Sequence, residues 1–201
     1  MRVLVHLHTW NDADVIGIAL DAVLRQTRPV DGVLLVDNGS TDGTLALVYP
    51  DIVTVVRAPL NLGTSRAVAI GIEYALAHGF DWIWVLDADS VPRSDALELL
   101  TRLAESEGGQ VGIVGASHNL IDFNTVLRGR MLTPGGPRVT KLPKDRNFLT
   151  CNSTIWSGAL FNLVAVKQVG LPRSGTLGSW EDLSLDFGDT EFTYRIHCAG
   201  Y

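Results

Sequence analysis

The sequence predicts an α/β protein whose mostly parallel central sheet carries helices on both faces. Short apolar runs alternate with stretches of helical periodicity through the first half of the chain. The runs are apolar without interruption, which is typical of strands that helices cover on both sides. Polar clusters follow three of these runs, and ligands of such sheets bind beyond the carboxyl ends of the strands. The pattern therefore predicts both the fold and the edge that carries the function.

Five strands and six helices are expected, in alternation over most of the chain. The expected strands are residues 3–7, 33–36, 52–56, 82–86 and 111–114. The expected helices are residues 12–25, 41–48, 63–78, 94–104, 164–169 and 189–199. The ends of the apolar runs set the strand boundaries. Capping residues and the limits of the 3.6-residue period set the helix boundaries.

The longer helices are justified by their caps and apolar faces. Asp12 or Asp14 is expected to cap the first helix, and Ser94 the fourth. The expected buried face of the first helix is Val15, Ile18, Ala19, Ala22 and Val23. That of the third is Ala67, Ile70, Gly71, Tyr74 and Ala75.

The stretch from about residue 119 to 152 breaks this alternation. It contains three prolines and six basic residues in a chain that is acidic as a whole: Arg128, Arg130, Arg138, Lys141, Lys144 and Arg146. An acceptor-binding insertion or mobile lid and a solvated irregular crossover are both consistent with this composition.

Composition and charge limit the function classes. The 201 residues are 46% hydrophobic and 19% charged, which excludes extended disorder. A net charge of −6 is unfavourable for non-specific nucleic-acid binding, so no nucleic-acid partner is expected. Cys151 and Cys198 form no CxxC pair, so neither a disulfide framework nor a zinc site is predicted. With no signal-peptide core and no transmembrane run, we expect a cytoplasmic protein, with peripheral contact at the inner face of the membrane left open.

The string at 36–44, Val-Asp-Asn-Gly-Ser-Thr-Asp-Gly-Thr, is the most specific in the chain. Its simplest interpretation is a turn, since Asn-Gly and Asp-Gly supply positive-φ positions. A calcium loop starting at Asn38 is excluded because its twelfth position is Tyr49 instead of glutamate. No GxGxxG follows the first strand and no GK[ST] occurs, which excludes the usual dinucleotide and P-loop motifs.

Asp87-Ala88-Asp89 follows the fourth expected strand. Of two carboxylates at i and i+2, one can bind a sugar hydroxyl while the other binds a hard divalent cation that also holds phosphate oxygens. Extended through Val91, the letters also fit the DxDx[TV] string of aspartate-nucleophile phosphatases, which carry it on the first strand. Arg66, near the start of the third helix, is a candidate to bind an anion or a polar base edge.

In their order along the chain, these strings resemble those of the family 2 glycosyltransferases, which have the GT-A fold, a Rossmann-like α/β fold. The resemblance includes Thr9-Trp10-Asn11, Gln26-Thr27, the strings at 36–44 and 61–66, Asp87-Ala88-Asp89, and the segments 156–161, 169–172, 189–195 and 200–201. It implies inverting transfer of a sugar from a nucleotide diphosphate donor to a hydroxyl acceptor, with Mg²⁺ or Mn²⁺ as cofactor. The expected acceptor is a glycan or lipid-linked glycan of polysaccharide biosynthesis.

The resemblance also assigns roles to residues of the donor site. It implies a nucleoside pocket of Thr9, Asn11, Asp37, Asn38 and Arg66. Asp89 is the expected metal ligand, and Asp87 the residue nearer the donor ribose or the metal's outer shell. Many members have Asp-Asp where this chain has Asp37-Asn38, and the expected donors are dTDP- or UDP-sugars. The string at 186–191 is similar to that of rhamnosyltransferase-type members, which use dTDP-rhamnose.

Asp189 is the expected general base, and the role of a simple helix cap is its alternative. Glu191 and Arg195, four residues apart, are expected to pair and brace the last helix. The Glu181-Asp182 pair is a second candidate for the base. Trp156, Ser157 and Gly158 are the expected acceptor residues.

The expected organisation is one glycosyltransferase domain over residues 1–201. Its nucleotide-binding part covers about 1–117 and its acceptor and catalytic part about 118–201. Because family members usually continue past the Gly-Tyr pair at 200–201, the sequence is expected to be a truncated piece or a short variant. Two other functions stay open: a non-catalytic nucleotide-sugar binder, and a phosphohydrolase with Asp87 as nucleophile and Asp89 as acid/base. The oligomeric state is not predicted.

Overall fold

A six-stranded sheet with helices on both faces organises the chain. The computed structural model describes residues 1–108, 110–116, 118–120, 125–127, 130–133, 136–139, 151–173 and 188–201, with only the backbone described in the short strands between 118 and 139. The strands are β1 (Val3–Thr9), β2 (Gly32–Asp37), β3 (Val53–Arg57), β4 (Trp82–Asp87), β5 (Ile113–Gly115), β6 (His118–Leu120), β7 (Thr125–Leu127), β8 (Arg130–Thr133), β9 (Gly136–Val139) and β10 (Ala159–Asn162). The α-helices are α1 (Ile16–Leu24), α2 (Thr64–Ala77), α3 (Ala96–Ser106), α4 (Leu163–Val169) and α5 (Gly188–Cys198).

The main sheet has the strand order β3-β2-β1-β4-β10-β5. The first four strands in this order are parallel, and β10 runs antiparallel to both of its neighbours. Within the stretch that sequence analysis set apart, β6 pairs with β7 and β8 with β9, each antiparallel. The predicted fold class, a mostly parallel sheet with helices on both faces, is confirmed.

Two apolar layers cover the sheet. One face packs on α1 and α3, and β1 contributes Val3, Val5 and Leu7 to it. The other face packs on α2, α4 and α5, and β1 contributes Leu4. Continuous apolar strands thus follow from burial on both sides. In the part of the chain that the structure describes, none of the helices is both long enough and apolar enough to span a bilayer.

The first helix differs from its prediction. It begins at Ile16, the residue before it makes no side-chain cap bond, and Asp12 supplies only its backbone carbonyl to the first turn. The buried residues are Ile16, Ala19, Leu20 and Val23. This set is also at helical spacing, and it leaves Ile18 58% exposed. The sequence carries apolar residues on two sides of the helix, so periodicity alone does not select the buried one.

The short helix expected over residues 41–48 is a single 3₁₀ turn, Thr44–Ala46. The carboxylate of Asp42 accepts both the N–H and the hydroxyl of Thr44. The phenol of Tyr49 donates to the carbonyl oxygen of Thr44 at 2.7 Å. Side-chain bonds of this kind compete with helical backbone bonds, which explains why the helix does not form.

Strand β10 was not predicted from the sequence. Its four residues are all buried, and the apolar run continues directly into α4. The boundary is marked by Asn162, whose side chain accepts the N–H of Val164 at 2.9 Å and so caps α4. An asparagine inside an apolar run is the signal that would have separated the strand from the helix.

Helix α2 approaches β1 closely at Gly71. A Cβ at this position would lie 2.8 Å from Cγ and 2.9 Å from Cε1 of His6, a fully buried residue of β1. The helix can lie at this height above the sheet because residue 71 has no side chain. Gly17 on α1 is the opposite case, since a Cβ there would meet nothing within 4 Å.

We expect Gly71→Ala and Gly17→Ala to change stability in opposite directions. Alanine is favoured over glycine in a helix by up to about 1 kcal/mol, so Gly17→Ala should raise the free energy of unfolding slightly. At Gly71 the clash with His6 should outweigh that gain and lower it by about 1–2 kcal/mol. Urea denaturation of the three proteins measures both changes. A stabilising Gly71→Ala would contradict the close approach of α2 to β1.

Candidate active site

The predicted donor-site residues lie mainly at the carboxyl edge of the sheet, where three neighbouring strands end. β1 ends at Thr9, β2 at Asp37 and β4 at Asp87. β1 lies between the other two, with Thr9 in register with Asp37 and His8 in register with Asp87. The backbone positions of these strand ends therefore lie within roughly 10 Å of one another, two strand spacings.

Hydrogen bonds join the loop after β1 to the loop after β2. The N–H of Asn38 donates to the carbonyl of Thr9 at 2.8 Å, and the N–H of Asn11 donates to Oγ of Ser40 at 2.9 Å. In return, Oδ1 of Asn11 accepts the N–H of Thr41 at 2.8 Å. Asn11 has a φ of 58°, which asparagine adopts more readily than most residues. The backbone N–H and the side-chain amide oxygen of Asn11 thus hold the two loops together.

A second set of bonds ties the same two loops further along. The hydroxyl of Thr9 donates to Oδ2 of Asp12 at 2.9 Å, and the N–H of Asp12 donates to Oγ1 of Thr44 at 3.1 Å. The N–H of Ala13 donates to Oδ2 of Asp42 at 3.1 Å. The Thr44 hydroxyl, and then its backbone N–H, lower the pKa of the Asp42 carboxyl. These acidic side chains organise the loops.

Asp37 and Asn38 are adjacent but differ in their surroundings. The Asp37 carboxylate is completely buried; both its oxygens lie 3.2 Å from the N–H of Ser40, and Oδ2 lies 3.6 Å from Nε of Arg57. Asn38 is also buried, but its Oδ1 has no hydrogen-bond partner among the described residues. A buried carbonyl without a partner is costly, and a ligand N–H donated to it would remove that cost.

Gly39 explains why glycine follows Asn38. Its φ is 77°, and a Cβ there would lie 2.8 Å from Cα of Leu60. Because the obstruction is backbone, no side chain can be accommodated without moving the chain. The loop after β2 therefore packs directly on the segment that leads into α2, and this contact fixes the position of Asn38.

Asp87 and Asp89 lie on a turn that three side chains support. Oδ1 of Asp87 is 3.0 Å from Nε2 of His8, and the Asp87 carbonyl accepts the N–H of Ser90. Oγ of Ser157 lies 2.6 Å from Oγ of Ser90 and accepts the Asp87 N–H at 3.4 Å. Asp89 is exposed, and no hydrogen bond or ion pair joins it to the rest of the described chain.

A pair of histidines lies behind this turn. The rings of His6 and His8 are stacked, with centroids 5.5 Å apart and planes inclined by 19°. Burial, followed by the charge that His8 would carry, lowers the pKa of His6 well below its usual value, against a smaller raising effect of Asp87. Neither ring nitrogen of His6 has a partner among the described residues. His6 is therefore an uncharged core residue beneath His8.

The two carboxylates at this turn suit a hard divalent cation. Asp89 offers an exposed carboxylate and Asp87 a half-exposed one, and carboxylate oxygens are preferred by Mg²⁺ and Mn²⁺. Over the described ranges there is no group of three or more His, Cys, Asp and Glu side chains that could hold a metal ion. A cation at Asp89 would therefore take its remaining ligands from donor phosphates and water, as Mg²⁺ usually does.

Arg66 lies on the first turn of α2 and is half-exposed. Its Nη1 is 3.4 Å from Oε1 of Glu73 on the same helix. No contact in the described part of the chain joins it to Asp37 or Asn38. Instead, Arg57 at the end of β3 pairs with Asp37 and donates to the Ser40 carbonyl at 3.0 Å. The role of Arg66 in the nucleoside pocket stays a prediction.

The expected acceptor residues lie beside the Asp87–Asp89 turn but are largely buried. Trp156 packs with Phe161 and Phe192, with ring centroids 5.5–6.1 Å apart. The Ser157 hydroxyl is engaged by the turn, and the Gly158 N–H donates to the Val85 carbonyl at 2.8 Å. This geometry gives the string a supporting role for the turn. Its contact with an acceptor stays a prediction.

Asp189 lies in the first turn of α5, and the helix is firmly anchored. Its Oδ1 accepts the N–H and hydroxyl of Thr190, whereas a capping carboxylate bonds the N–H two or three residues on. The predicted pair of Glu191 and Arg195 is confirmed, with two bonds of 2.8 and 3.0 Å. Arg195 also donates to the carbonyls of Val169 and Leu171, which ties α5 to the end of α4.

One hydroxyl connects the Asp189 turn to the segment before β10. Oγ1 of Thr193 donates to the Asp189 carbonyl at 2.8 Å and accepts the N–H of Thr154 at 3.2 Å. It also lies 3.3 Å from Oγ of Ser153. Since the same segment continues to Ser157, a short continuous path joins the helix of Asp189 to the turn of Asp87.

Four residues at this edge were not singled out as site residues by sequence analysis. His8 and Arg57 contact Asp87 and Asp37, Ser90 supports the turn, and Trp10 is half-exposed beside Thr9. The two-residue alternation of β1 would have placed His8 next to the functional edge. Two further sets of predicted residues have side chains outside the described part of the chain. They are Glu181 and Asp182, the alternative candidates for the general base, and the six basic residues between 128 and 146.

Known proteins are similar to this chain in sequence and fold. Residues 5–169 match the family model described as Glycosyl transferase family 2. The galactofuranosyltransferase GlfT1 of Mycolicibacterium smegmatis is 31% identical over 174 residues, covering 82% of this chain and 57% of that protein. The polyprenol monophosphomannose synthase of the same organism is 32% identical over 111 residues, covering 52% of this chain and 40% of that protein. The mannosyltransferase PcManGT from Pyrobaculum calidifontis, in complex with GDP-Man and Mn²⁺, has a TM-score of 0.68 at 24% identity, covering all of this chain and 53% of that one.

These similarities establish the family and the fold. The chain spans a little over half the length of GlfT1 and of the mannosyltransferase. Its fold is the GT-A fold, as the resemblance implied. The relatives' names are those of galactofuranosyl- and mannosyltransferases, so the rhamnosyltransferase subgroup stays a prediction. With a family model that matches most of its length, the chain belongs to glycosyl transferase family 2.

Proposed function

We propose that this chain is the donor-binding and catalytic part of an inverting, metal-dependent glycosyltransferase. It would move a sugar from a dTDP- or UDP-sugar to a hydroxyl acceptor. One observation carries the proposal: on either side of the end of β1 lie a buried amide oxygen of Asn38, which has no hydrogen-bond partner in the described part of the chain, and an exposed carboxylate of Asp89. The amide oxygen suits an N–H on the edge of a nucleobase. The carboxylate suits the cation that accompanies a diphosphate.

The amide of Asn38 supports the choice of a pyrimidine. Uracil and thymine present an N–H between two carbonyl oxygens, so one side-chain amide can both accept from and donate to that edge. The Asp37 carboxylate already binds Ser40 and Arg57. Asn38 is therefore the better placed of the two residues to contact a nucleobase. PcManGT is in complex with GDP-Man, so the same fold also holds a purine nucleotide, and the preference must come from local residues.

The cation proposed at Asp89 would supply positive charge to the leaving diphosphate. Asp87 would bind the donor ribose or a water of the metal, held in place by its contacts with His8 and Ser157. Both carboxylates are on a turn that ends a buried strand, so their positions are fixed by the sheet. Sites built on regular elements in this way are better preorganised than sites on free loops.

Asp189 is the proposed general base. Inversion requires the acceptor hydroxyl to attack from the face opposite the departing nucleotide, and a carboxylate placed there can take its proton. Two observations support this role: Asp189 lies in the first turn of α5, and this helix is anchored by Arg195 and Thr193.

A glycan or lipid-linked glycan is the proposed acceptor. One relative is named as a polyprenol monophosphomannose synthase, and lipid carriers of that kind are held in membranes. We therefore propose a cytoplasmic enzyme that works at the inner face of the membrane, in polysaccharide biosynthesis. The basic stretch between residues 128 and 146 has the charge expected of a segment that meets anionic lipids.

The nucleoside proposal predicts that UDP and dTDP bind more tightly than GDP and ADP. Calorimetric titration of each nucleotide in the presence of Mn²⁺ measures this order. Asn38→Leu should weaken the two pyrimidine nucleotides by about tenfold, the value of one or two lost hydrogen bonds, and change the purine nucleotides little. Equal affinity for all four nucleotides, or an equal loss of all four in the variant, would refute the role of Asn38.

The metal proposal predicts that EDTA abolishes donor binding and turnover. Asp89→Asn should lower turnover by roughly a hundredfold or more, since offsetting charge on a leaving diphosphate is worth several kcal/mol. Asp51→Asn is the matched control, because it removes the same charge from an exposed position before β3, at the other edge of the sheet. Full activity of the Asp89 variant in EDTA would exclude a catalytic metal at this turn.

The proposal for the base predicts that Asp189→Asn binds the donor normally but transfers sugar about 10²–10⁴ times more slowly. Asparagine keeps the shape and hydrogen-bonding oxygen of the side chain but cannot take the proton. Asp182→Asn is the comparison, because it tests the other candidate. If Asp182→Asn loses transfer while Asp189→Asn remains near normal, the base is Asp182.

A further inference from the structure

We propose that His8 is a positioning residue for the donor site: its Nε2–H orients the Asp87 carboxylate toward the nucleotide and its metal. This inference rests on the proposed function, since it concerns the same donor. The contact that carries it is the 3.0 Å separation between Nε2 of His8 and Oδ1 of Asp87.

The sheet itself makes the contact. His8 and Asp87 are register partners on adjacent parallel strands, so their side chains project from the same face at neighbouring positions. The side chain of Asp87 is 43% exposed, whereas that of His8 is 10% exposed. A close contact with a largely buried ring restricts the rotamers that the carboxylate can adopt.

The surroundings of His8 select which nitrogen carries the proton. Its Nδ1 is buried and has no partner among the described residues. A proton there would be a buried donor without an acceptor, whereas a proton on Nε2 is donated to Asp87. The ring orientation is held from beneath by the stacked ring of His6, which in turn fits against Gly71.

This arrangement is equivalent to the outer shell of a metal site, in which a second residue orients the one that contacts the ligand. Removal of such partners typically lowers affinity or activity about 10- to 100-fold. His8 does not need to touch the donor to have this effect, because it acts through Asp87.

Two substitutions separate the orienting bond from simple packing. In glutamine the side-chain N–H₂ reaches the position of the histidine Nε2, whereas in asparagine it reaches only the position of Nδ1. Both are polar and neither titrates. His8→Asn should weaken UDP binding with Mn²⁺ by about tenfold or more, and His8→Gln should recover most of it. Equal affinities of His8→Asn and the unchanged protein would overturn the proposal, as would equal losses in the two variants.

A double-mutant cycle tests whether His8 acts through Asp87. In the Asp87→Asn background, His8→Asn should change UDP affinity by less than about twofold, because the group to be oriented is gone. Independent, multiplying effects would mean that His8 contributes only to folding. Thermal unfolding of each variant without ligand identifies losses that come from stability, since such losses would be shared by His8→Gln.

A ligand-free measurement keeps this inference separate from the proposed function. Nitrogen-15 NMR of the histidine rings should show His8 as the Nε2–H tautomer, and the Nδ1–H tautomer would overturn the positioning role. Failure of the unchanged protein to bind any nucleoside diphosphate with Mn²⁺ would overturn both proposals. Normal nucleotide binding together with an unaffected His8→Asn variant would overturn this one alone.

Discussion

The parallel pairing of β1 between β2 and β4 is the constraint on which the site depends. This pairing sets Thr9 beside Asp37 and His8 beside Asp87. Side chains alternate along a strand, so a register shift of one residue would turn His8 away from Asp87 and break the bond from Asn38 to Thr9. The apolar residues on both faces of β1 prevent such a shift, because it would exchange two differently shaped cores. The geometry of the polar edge is thus maintained by burial elsewhere in the sheet.

The second half of the site depends on the segment before β10. In this segment Thr154 bonds Thr193 of α5, the helix that carries Asp189, and Ser157 bonds the backbone of Asp87. The aromatic cluster around Trp156 fixes this segment in the core. The roles proposed for Asp189 and Asp89 require the two carboxylates to be held at a constant separation, and a short buried connection is a direct way to achieve it.

Much of the fold could be predicted from the sequence because the strands of the first half are continuous apolar runs that end in polar turns. The strand positions of β1, β2 and β4, and with them the functional edge, follow from that pattern. The buried face of α1 could not be predicted, because apolar residues lie on two sides of the helix. β10 was missed because its apolar run continues into α4, and the reversal of its direction has no local signal.

The candidate site was predictable as a set of loops but not in its internal roles. The strings containing Asp37 and Asp87 mark the right edge. They do not show that Asp37 is buried against Arg57, or that the Asn38 amide oxygen has no partner among the residues that the structure describes. Such differences depend on which side chain the neighbouring strand presents, as with Arg57 at the end of β3 opposite Asp37. Contacts between residues far apart in sequence produce no local motif, so they could not be predicted from the sequence.

The side chain of Arg195 has a consequence for how this chain tolerates changes in length. One guanidinium binds the carbonyls of Val169 and Leu171 at the end of α4 and the carboxylate of Glu191 in α5. The stretch between Leu171 and Glu191 thus begins and ends at the same group. The entropy of closing a loop grows slowly with its length, by about 0.6 kcal/mol for each doubling. Because Arg195 holds both ends, a change in the number of residues between them would add little free energy of closure, and α5 with the proposed base would stay attached to α4.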